Sequence, residues 1–261
     1  MAQGIARTLA GELRARILSG DLPDATALPT FERMQAEFDV SMPTLREAIR
    51  ILESEGLIVV HRGSRGGAVV RSPRGETIAY TLGLVLESAE TSLVDVATAL
   101  QDIEPLCVRY CALRPDRRET VVPALRKVHE AAVELSDSDE RFTEAARRFH
   151  EVLAAECGNQ TLKVLVGALI ALWSGHESEW ACHGEVGRPT AAQRRVGTAA
   201  HARLIELIDA GDADAAMALA REHVAASQNA ALSRTSQQTV RSAAVSPLAL
   251  DRARELRGGG R

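Results

Sequence analysis

A four-residue spacing of apolar side chains predicts that the chain begins with an amphipathic helix. These side chains recur at Ile5, Leu9, Leu13 and Ile17. Gly20 ends the pattern, and Thr30 and Ser41 are residue types that cap helices, so we predict two short helices after them. Pro43 fits the first turn of the second of these, and Gly56 ends it.

Two β-rich runs follow in "LIVVHRGSRGGAVVRS", separated by a glycine-rich turn that is typical of a hairpin. Beyond a hinge near residue 73, apolar residues recur with helical spacing as far as Leu232. We therefore predict a mainly α fold class. An N-terminal winged helix-turn-helix with a small β-hairpin spans residues 1–73, an all-α bundle of six or seven helices spans residues 74–232, and a flexible polar tail covers residues 233–261.

The composition narrows the class of protein. Aromatic residues make up only 3% of the chain, so the core must consist mostly of Ala, Leu and Val. The net charge of −4 excludes a protein that is basic overall but allows a local basic surface. The longest uncharged apolar run, at residues 164–173, is too short to cross a bilayer. Four cysteines without a C-x-x-C pair favour free thiols, so we expect a cytoplasmic protein without a membrane segment.

The third helix has the chemistry of a helix that reads DNA. Ser41 and Thr44 have short hydroxyl side chains that can reach phosphates or base edges at its N-terminus. Arg46 and Arg50 lie one turn apart on one face, and arginine can bind guanine through two hydrogen bonds. The alternative is that these arginines are solvated partners of nearby acids, namely Glu47, Glu53 and Glu55.

The turn of the predicted hairpin adds basic residues to this surface. Arg62 and Arg65 stand beside glycines such as Gly63, which let a backbone approach a groove closely. Arginines in that setting suit a narrow minor groove or phosphates. The order of helices and basic hairpin weakens the alternative that the arginines are merely solvated.

The whole segment from "LAGELRARILSGDLP" to "VSMPTLREAIRILESEGLIVVHRGSRGG" resembles the N-terminal domain of GntR-family transcription regulators. The resemblance implies DNA contacts at Ser41, Thr44, Arg46, Arg62 and Gly63. Met42 departs from the pattern, because the family usually has an arginine there. We expect an intact fold with a relaxed or apolar preference at one operator position, where Met42 touches DNA, since methionine can contact a thymine methyl group.

Three histidines stand out in the helical half. His201 and His223 lie 22 residues apart, which is about 33 Å on one continuous helix. Gly211 and Asp212 break that helix, so a helical hairpin would bring the two histidines level, and His150 could join them from a third helix. Converging imidazoles are ligands for Zn, Ni or Mn. The alternative is that each is an ordinary hydrogen-bonded histidine.

The segments "FHEVLAAECGN" and "HARLIELIDAGDADAAMALAREHV" resemble the FadR-type sensor domain (FCD) of GntR regulators. The resemblance implies an all-helical bundle that encloses a small-molecule cavity, often with one divalent metal ion held by three histidines and an aspartate. The histidines are His150, His201 and His223 in this chain. The expected cavity residues are Leu100, Glu104, Ala146 and Trp173.

Two departures from the FCD pattern affect the site. Ala146 stands where the metal-binding aspartate is usual, and Leu100 where many relatives have an arginine that clamps a carboxylate effector. The missing ligand could be replaced by Asp102, Glu104 or His176. We expect an effector that is not a simple arginine-clamped carboxylate, although Arg109 could still contribute a cation.

These features predict a ligand-responsive repressor that binds a palindromic operator in double-stranded DNA as a homodimer. An effector-blind DNA-binding protein with a purely structural bundle is the first alternative. A metal-dependent hydrolase is the second, but the chain has no nucleophile elbow, phosphate-binding loop or H-E-x-x-H motif. We therefore expect that the protein is not an enzyme.

Overall fold

The computed structural model describes residues 2–61, 67–71, 75–136, 139–182, 189–235 and 238–245. Internal contacts divide the chain into two compact units, Met1–Thr77 and Ile78–Arg261. This division falls four residues beyond the boundary predicted at residue 73. Among the described residues, no helix is both long and apolar enough to cross a membrane.

The first unit is the predicted winged helix-turn-helix. Its elements are α1 (Ala2–Ser19), α2 (Phe31–Phe38), α3 (Met42–Ser54), β1 (Ile58–His61) and β2 (Gly67–Val70). The strands are antiparallel, with Ile58 opposite Val70. The segment before α2 adds to the other edge of β2, where the Leu28 N–H donates to the Ala68 carbonyl at 2.8 Å. Ile5 is 51% exposed, so the buried face of α1 begins at Ala6, one residue later than the spacing predicts.

Polar caps fix the turn between α2 and α3. Thr30 Oγ1 accepts from the Arg33 N–H at 3.3 Å, and Ser41 Oγ accepts from the Thr44 N–H at 3.4 Å. Asp39 ends α2 in the left-handed conformation, with φ 48°. The predicted caps at Thr30 and Ser41 are therefore confirmed, and α3 buries the face formed by Leu45, Ala48, Ile49 and Leu52.

The second unit is a helical bundle. Among the described residues it contains seven α-helices, α4 (Gly75–Ser88, which begins in the first unit), α5 (Leu93–Leu113), α6 (Val121–Glu134), α7 (Asp139–Glu156), α8 (Gln160–Cys182), α9 (Ala191–Ala210) and α10 (Ala213–Thr235). Helix α5 lies at the centre and packs most extensively on α10, with further contacts to α7, α8 and α9. The predicted all-α bundle is confirmed.

Two glycines at helix boundaries, one of them predicted, position the helices that matter for the site. Gly211 ends α9 in the left-handed region, with φ 77°, so the chain reverses directly into α10. Gly158 has φ 75°, and the side-chain oxygen of Asn159 caps α8 by accepting from the Leu162 N–H at 3.1 Å. Helices α9 and α10 therefore form the hairpin that the sequence predicts.

The C-terminal segment differs from the expected flexible tail. Helix α10 continues to Thr235, and residues 238–245, here called the strap, pack against the bundle and end in a 3₁₀ turn at Ser242–Val245. The strap buries Val240 completely, and its Arg241 N–H donates to His176 Nε2 at 3.0 Å. The sequence predicted a flexible tail because this segment is mostly polar, but two of its residues, Val240 and Val245, are buried. Residues 246–261 lie outside the described residues.

Candidate functional site

The N-terminus of α3 is less open than the sequence predicts. Thr44 is only 7% exposed, and its hydroxyl lies 2.8 Å from that of Ser41. Ser41 is exposed, whereas Met42 is half-buried and packs against the core of the first unit. Of these three predicted contacts, Ser41 therefore presents the most accessible polar group, and the Thr44 hydroxyl is engaged in the helix cap.

The two arginines of α3 differ in their surroundings. Arg46 is exposed and forms no ion pair with another described residue. Arg50 is also exposed, but it donates to the Glu47 carboxylate at 2.8 Å. The alternative of a solvated ion pair therefore applies to Arg50, while Arg46 presents an unpaired cation. The predicted hairpin contacts Arg62, Gly63 and Arg65 lie outside the described residues.

A cavity of about 390 Å³ opens within the second unit, lined by residues from α5, α7, α8, α9 and α10. The four predicted cavity residues all lie along its wall, namely Leu100, Glu104, Ala146 and Trp173. Its volume falls in the range of cavities that bind small molecules. Apolar side chains form much of the wall, so the few polar groups there determine which ligand it can accept.

The three predicted histidines converge on this cavity. One ring nitrogen from each of His150, His201 and His223 lies within 4.8 Å of the others. The Nε2 atoms of His201 and His223 are 2.9 Å apart, because the hairpin of α9 and α10 brings the two residues level. Phe149 stacks on the His201 ring, with centroids 4.0 Å apart, and fixes its orientation.

Glu104 supports the cluster from α5. Its carboxylate accepts from His150 Nδ1 at 2.5 Å, and the residue is only 3% exposed. Helix α7 places Ala146 one turn before His150 on the cavity wall, where it offers no ligand atom. Glu104 therefore does not replace the missing aspartate directly but orients His150, as carboxylates commonly do for metal-binding histidines.

The other proposed substitutes are placed elsewhere. Asp102 is exposed, so it points away from the cavity. His176 is buried, and its two nitrogens bind the Leu172 carbonyl and the strap. Arg109 pairs with Asp214 at 3.2 Å and does not line the cavity. Among the described residues, the ligand set is therefore the three histidines.

Burial sets the charge of the histidines. It lowers the pKa of His201 well below its ordinary value, and it lowers the pKa of His223 to about 3. Burial also acts against the charged form of His150, but the Glu104 carboxylate outweighs it and raises the pKa of His150. His201 and His223 are therefore neutral at pH 7, which is the form that binds metal ions.

This donor set fits a divalent metal ion. Two imidazole lone pairs at 2.9 Å repel each other unless a proton or a cation lies between them. His150, His201 and His223 would hold the ion through one nitrogen each, and three protein ligands leave coordination positions for water or an effector. Such an ion would act as a Lewis acid and would bind oxygen atoms of an effector.

Among the polar cavity residues that sequence reasoning missed are three that lie on α7 and α8. They are Arg147, Ser174 and Glu177. Arg147 precedes His150 by three residues, so helical spacing alone places both on one face of α7. The facing positions on α8 depend on how the two helices are rotated, which the sequence does not reveal.

Comparison with known families identifies both halves of the chain. The FCD domain family matches residues 95–226, and the family described as bacterial regulatory proteins, gntR family, matches residues 5–70. The protein belongs to the GntR family of transcription regulators, in the FadR-type group with an FCD domain. A GntR regulator of this group is not an enzyme.

Relatives of this GntR regulator include two proteins named HTH-type transcriptional repressor NanR. The one from Klebsiella aerogenes is 30% identical over 151 residues, which cover 57% of this chain and 56% of that protein. The one from Citrobacter rodentium is 26% identical over 222 residues, which cover 82% and 80% respectively. The chain thus spans little more than half the length of the first relative.

The fold also resembles that of a solved GntR protein from Streptococcus agalactiae. The two share 20% sequence identity, with a TM-score of 0.62 over 86% of this chain and 99% of that one. At this identity the likeness concerns the fold alone.

Proposed function

We propose that this GntR regulator represses transcription by binding a palindromic operator as a homodimer, and that a small effector in the FCD cavity controls that binding. The convergence of His150, His201 and His223 on a cavity is the observation that carries the proposal, because a purely structural bundle has no use for it. The two relatives described above are named repressors, which supports repression rather than activation.

We assign DNA reading to residues 1–73. Arg46 is the best candidate for a base or phosphate contact on α3, since it is exposed and unpaired among the described residues. Ser41 can donate to a phosphate at the helix N-terminus. Met42 reaches the same end of the helix and would contact an apolar base edge. Arg62, Gly63 and Arg65 remain proposed contacts of the hairpin.

We assign dimerisation and effector binding to residues 74–232. Reading the two half-sites of an operator requires two winged helix-turn-helix domains, here called heads. A homodimer is therefore the simplest assembly. Three apolar residues that share an exposed face of α5 support this assembly, because water penalises such a stripe in a monomer. They are Leu106, Tyr110 and Leu113. Because transcription regulators act on the chromosome, we also propose a cytoplasmic location.

Effector control follows if the ligand favours one arrangement of the dimer. A ligand shifts a conformational equilibrium only by its difference in affinity for the two states. The cavity is lined by five helices of the bundle, so a ligand bound there can favour one packing of those helices over another. A change in helix packing that alters the spacing of the two heads would change operator affinity.

Two other functions are less well supported. An effector-blind bundle does not explain a cavity of about 390 Å³ with three ring nitrogens directed towards one point. A metal-dependent hydrolase would use the histidines to activate water, but the GntR family is one of transcription regulators. In an effector-blind protein, the metal removal and the histidine substitutions tested below would leave operator binding unchanged.

The proposal can be tested with DNA from upstream of the protein's own coding region. Fluorescence anisotropy should show tight, salt-sensitive binding, with two chains per operator by light scattering. Metal removal, or His201→Ala with His223→Ala, should change the response to effector while leaving the heads folded. A monomer that binds this DNA no better than random DNA would contradict the proposal. Met42→Arg should alter operator preference, and an unchanged preference would exclude Met42 as a contact.

A further inference from the structure

The strap, residues 238–245, lies against α4 and α8 at two glycines. A Cβ atom added at Gly83 of α4 would lie 3.2 Å from the Ser242 Cα atom. One added at Gly175 of α8 would lie 2.5 Å from the Ala244 carbonyl oxygen. The strap backbone therefore approaches both helices at distances that a side chain at either glycine would obstruct.

Hydrogen bonds attach the strap to both of these helices. On α4, the Glu87 carboxylate accepts from the Ser242 hydroxyl at 2.5 Å and from the Ser242 N–H at 2.9 Å. These bonds lower the pKa of Glu87, because they favour its charged form. On α8, His176 Nε2 accepts from the Arg241 N–H at 3.0 Å. Adjacent residues of the strap thus bind two different helices, so the strap bridges α4 and α8.

The strap is also fixed by contacts that do not involve α4 or α8. The Leu93 N–H donates to the Gln238 carbonyl at 3.0 Å, and the Val240 N–H donates to the Thr91 carbonyl at 2.8 Å. Val240 and Val245 are 0% and 3% exposed. Paired backbone groups and buried apolar side chains stabilise a single conformation of the segment.

Helix α8 connects the strap to the effector cavity. Trp173 and Glu177 line the cavity, and His176 lies between them in the sequence. His176 is only 1% exposed, and its Nδ1 donates to the Leu172 carbonyl at 2.9 Å, which leaves Nε2 as the acceptor for the strap. A displacement of α8 at the cavity wall would therefore also displace the attachment of the strap.

Helix α4 connects the strap to the DNA-binding half of the chain. It begins at Gly75, in the first unit, and ends at Ser88, in the second. Glu87 lies in its last turn, so the strap restrains the far end of a helix that continues from the first unit. The FCD family match ends at residue 226, so it assigns no role to the strap.

We propose that the strap fastens α4 to α8 and thereby limits the arrangements that the two heads of the dimer can adopt. A restrained helix loses less conformational entropy when both heads bind their half-sites. Release of the strap therefore weakens operator binding. This role rests on the proposed function as a dimer that binds an operator.

A disulfide between the strap and α4 tests this role in one full-length protein. Gly83→Cys with Ser242→Cys joins positions whose Cβ atoms lie 3.4 Å apart, close to the separation of about 3.8 Å in a disulfide. The reduced form lacks the Ser242 hydroxyl and has a crowded strap, whereas the oxidised form has the strap fastened covalently. In anisotropy titrations, the oxidised form should bind the operator about fivefold or more tightly than the reduced form. Wild-type protein, oxidised and reduced in the same way, should show one affinity.

Glu87→Ala tests the same contact without introducing a thiol. It removes the acceptor of both Ser242 bonds, so operator affinity should fall as in the reduced double variant. The matched control is Glu134→Ala, which removes an exposed acid from the last turn of α6 and should leave operator affinity unchanged. Light scattering should give the same mass for both variants. Glu87→Ala also keeps the test valid if the double variant does not fold.

Four outcomes would overturn the role of the strap. They are equal operator affinity of the oxidised and reduced forms, equal affinity of Glu87→Ala and Glu134→Ala, failure of the disulfide to form, and a disulfide that joins two chains on a non-reducing gel. The last result would mean that the strap of the partner occupies this site. In each of these cases the proposed function stands if the wild type binds its operator. A wild type that binds no operator would overturn both proposals.

Discussion

His150 Nδ1 donates to the Glu104 carboxylate at 2.5 Å, which leaves Nε2 as the nitrogen of that ring available to a metal ion. The hydrogen bond fixes the tautomer and the orientation of the ring, and it increases the basicity of the ligand. The carboxylate comes from α5 and the imidazole from α7, so the geometry of the metal site depends on how these helices pack.

Replacing this carboxylate should weaken metal binding without removing a ligand. Glu104→Gln is expected to lower the affinity for Zn²⁺ about 10- to 100-fold, as measured by competition with a chelating dye at pH 8. Asp102→Asn is the matched control, because Asp102 is an exposed acid on the same helix. Wild-type affinity in Glu104→Gln would mean that the carboxylate does not support the site.

The metal-free protein should lose stability as the pH falls below about 6.5. The pKa of His201 and that of His223 are lowered in the folded state, so the unfolded chain binds protons that the folded chain does not. Each such group costs about 1.4 kcal/mol of unfolding free energy per pH unit below 6.5. The contribution of His150 to the pH dependence of stability has the opposite sign. Its pKa is raised in the folded state, so it contributes stability that is lost as the pH rises through that pKa.

Urea unfolding of the metal-free protein at pH 7.5 and pH 5.5 measures this effect. His223→Gln should reduce the loss of stability between the two pH values, whereas His61→Gln, at an exposed histidine of the first unit, should not. An equal loss in wild type and His223→Gln would show that His223 is not held neutral by the fold.

The sequence predicted those parts of the site that depend on helix spacing and helix ends. One glycine break, at Gly211, sets the register of α9 and α10, so the meeting of His201 and His223 followed from counting residues. Arg147 was missed because its partner on α8 depends on side-chain packing between helices. The burial of Thr44 was missed because its rotamer is fixed by a hydrogen bond to Ser41.

Arg46 should contribute more to DNA binding than Arg50. Arg46 is unpaired among the described residues, whereas Arg50 must first give up its ion pair with Glu47. Arg46→Ala should weaken operator binding by about 1–3 kcal/mol if it reads a base. If Arg46 contacts a phosphate, Arg46→Ala should instead lower the slope of log affinity against log salt concentration by about one.

Anisotropy titrations at several salt concentrations distinguish these effects. Arg203→Ala is the matched control, because it removes one surface arginine of the FCD domain, where Arg203 pairs with Glu206. If Arg203→Ala and Arg46→Ala weakened binding equally, the loss would reflect net charge, and Arg46 would have no special place in the interface.

The packing of the strap against α8 should depend on the absence of a side chain at Gly175. A Cβ atom added at Gly175 would lie 2.5 Å from the Ala244 carbonyl oxygen, whereas one added at Gly167 on the same helix meets nothing within 4 Å. Gly167→Ala should therefore stabilise the protein by up to about 1 kcal/mol, through helix propensity alone. Gly175→Ala has the same gain in propensity but must displace the strap, so its Tm should fall below that of wild type.

Hydrogen exchange locates the expected change. The Arg241 N–H, which donates to His176, and the Val240 N–H, which donates to the Thr91 carbonyl, should exchange faster in Gly175→Ala than in Gly167→Ala. Displacement of the strap would break both bonds at once, because they lie on adjacent residues. A Gly175→Ala protein as stable and as protected as Gly167→Ala would mean that the strap does not pack against α8 in solution.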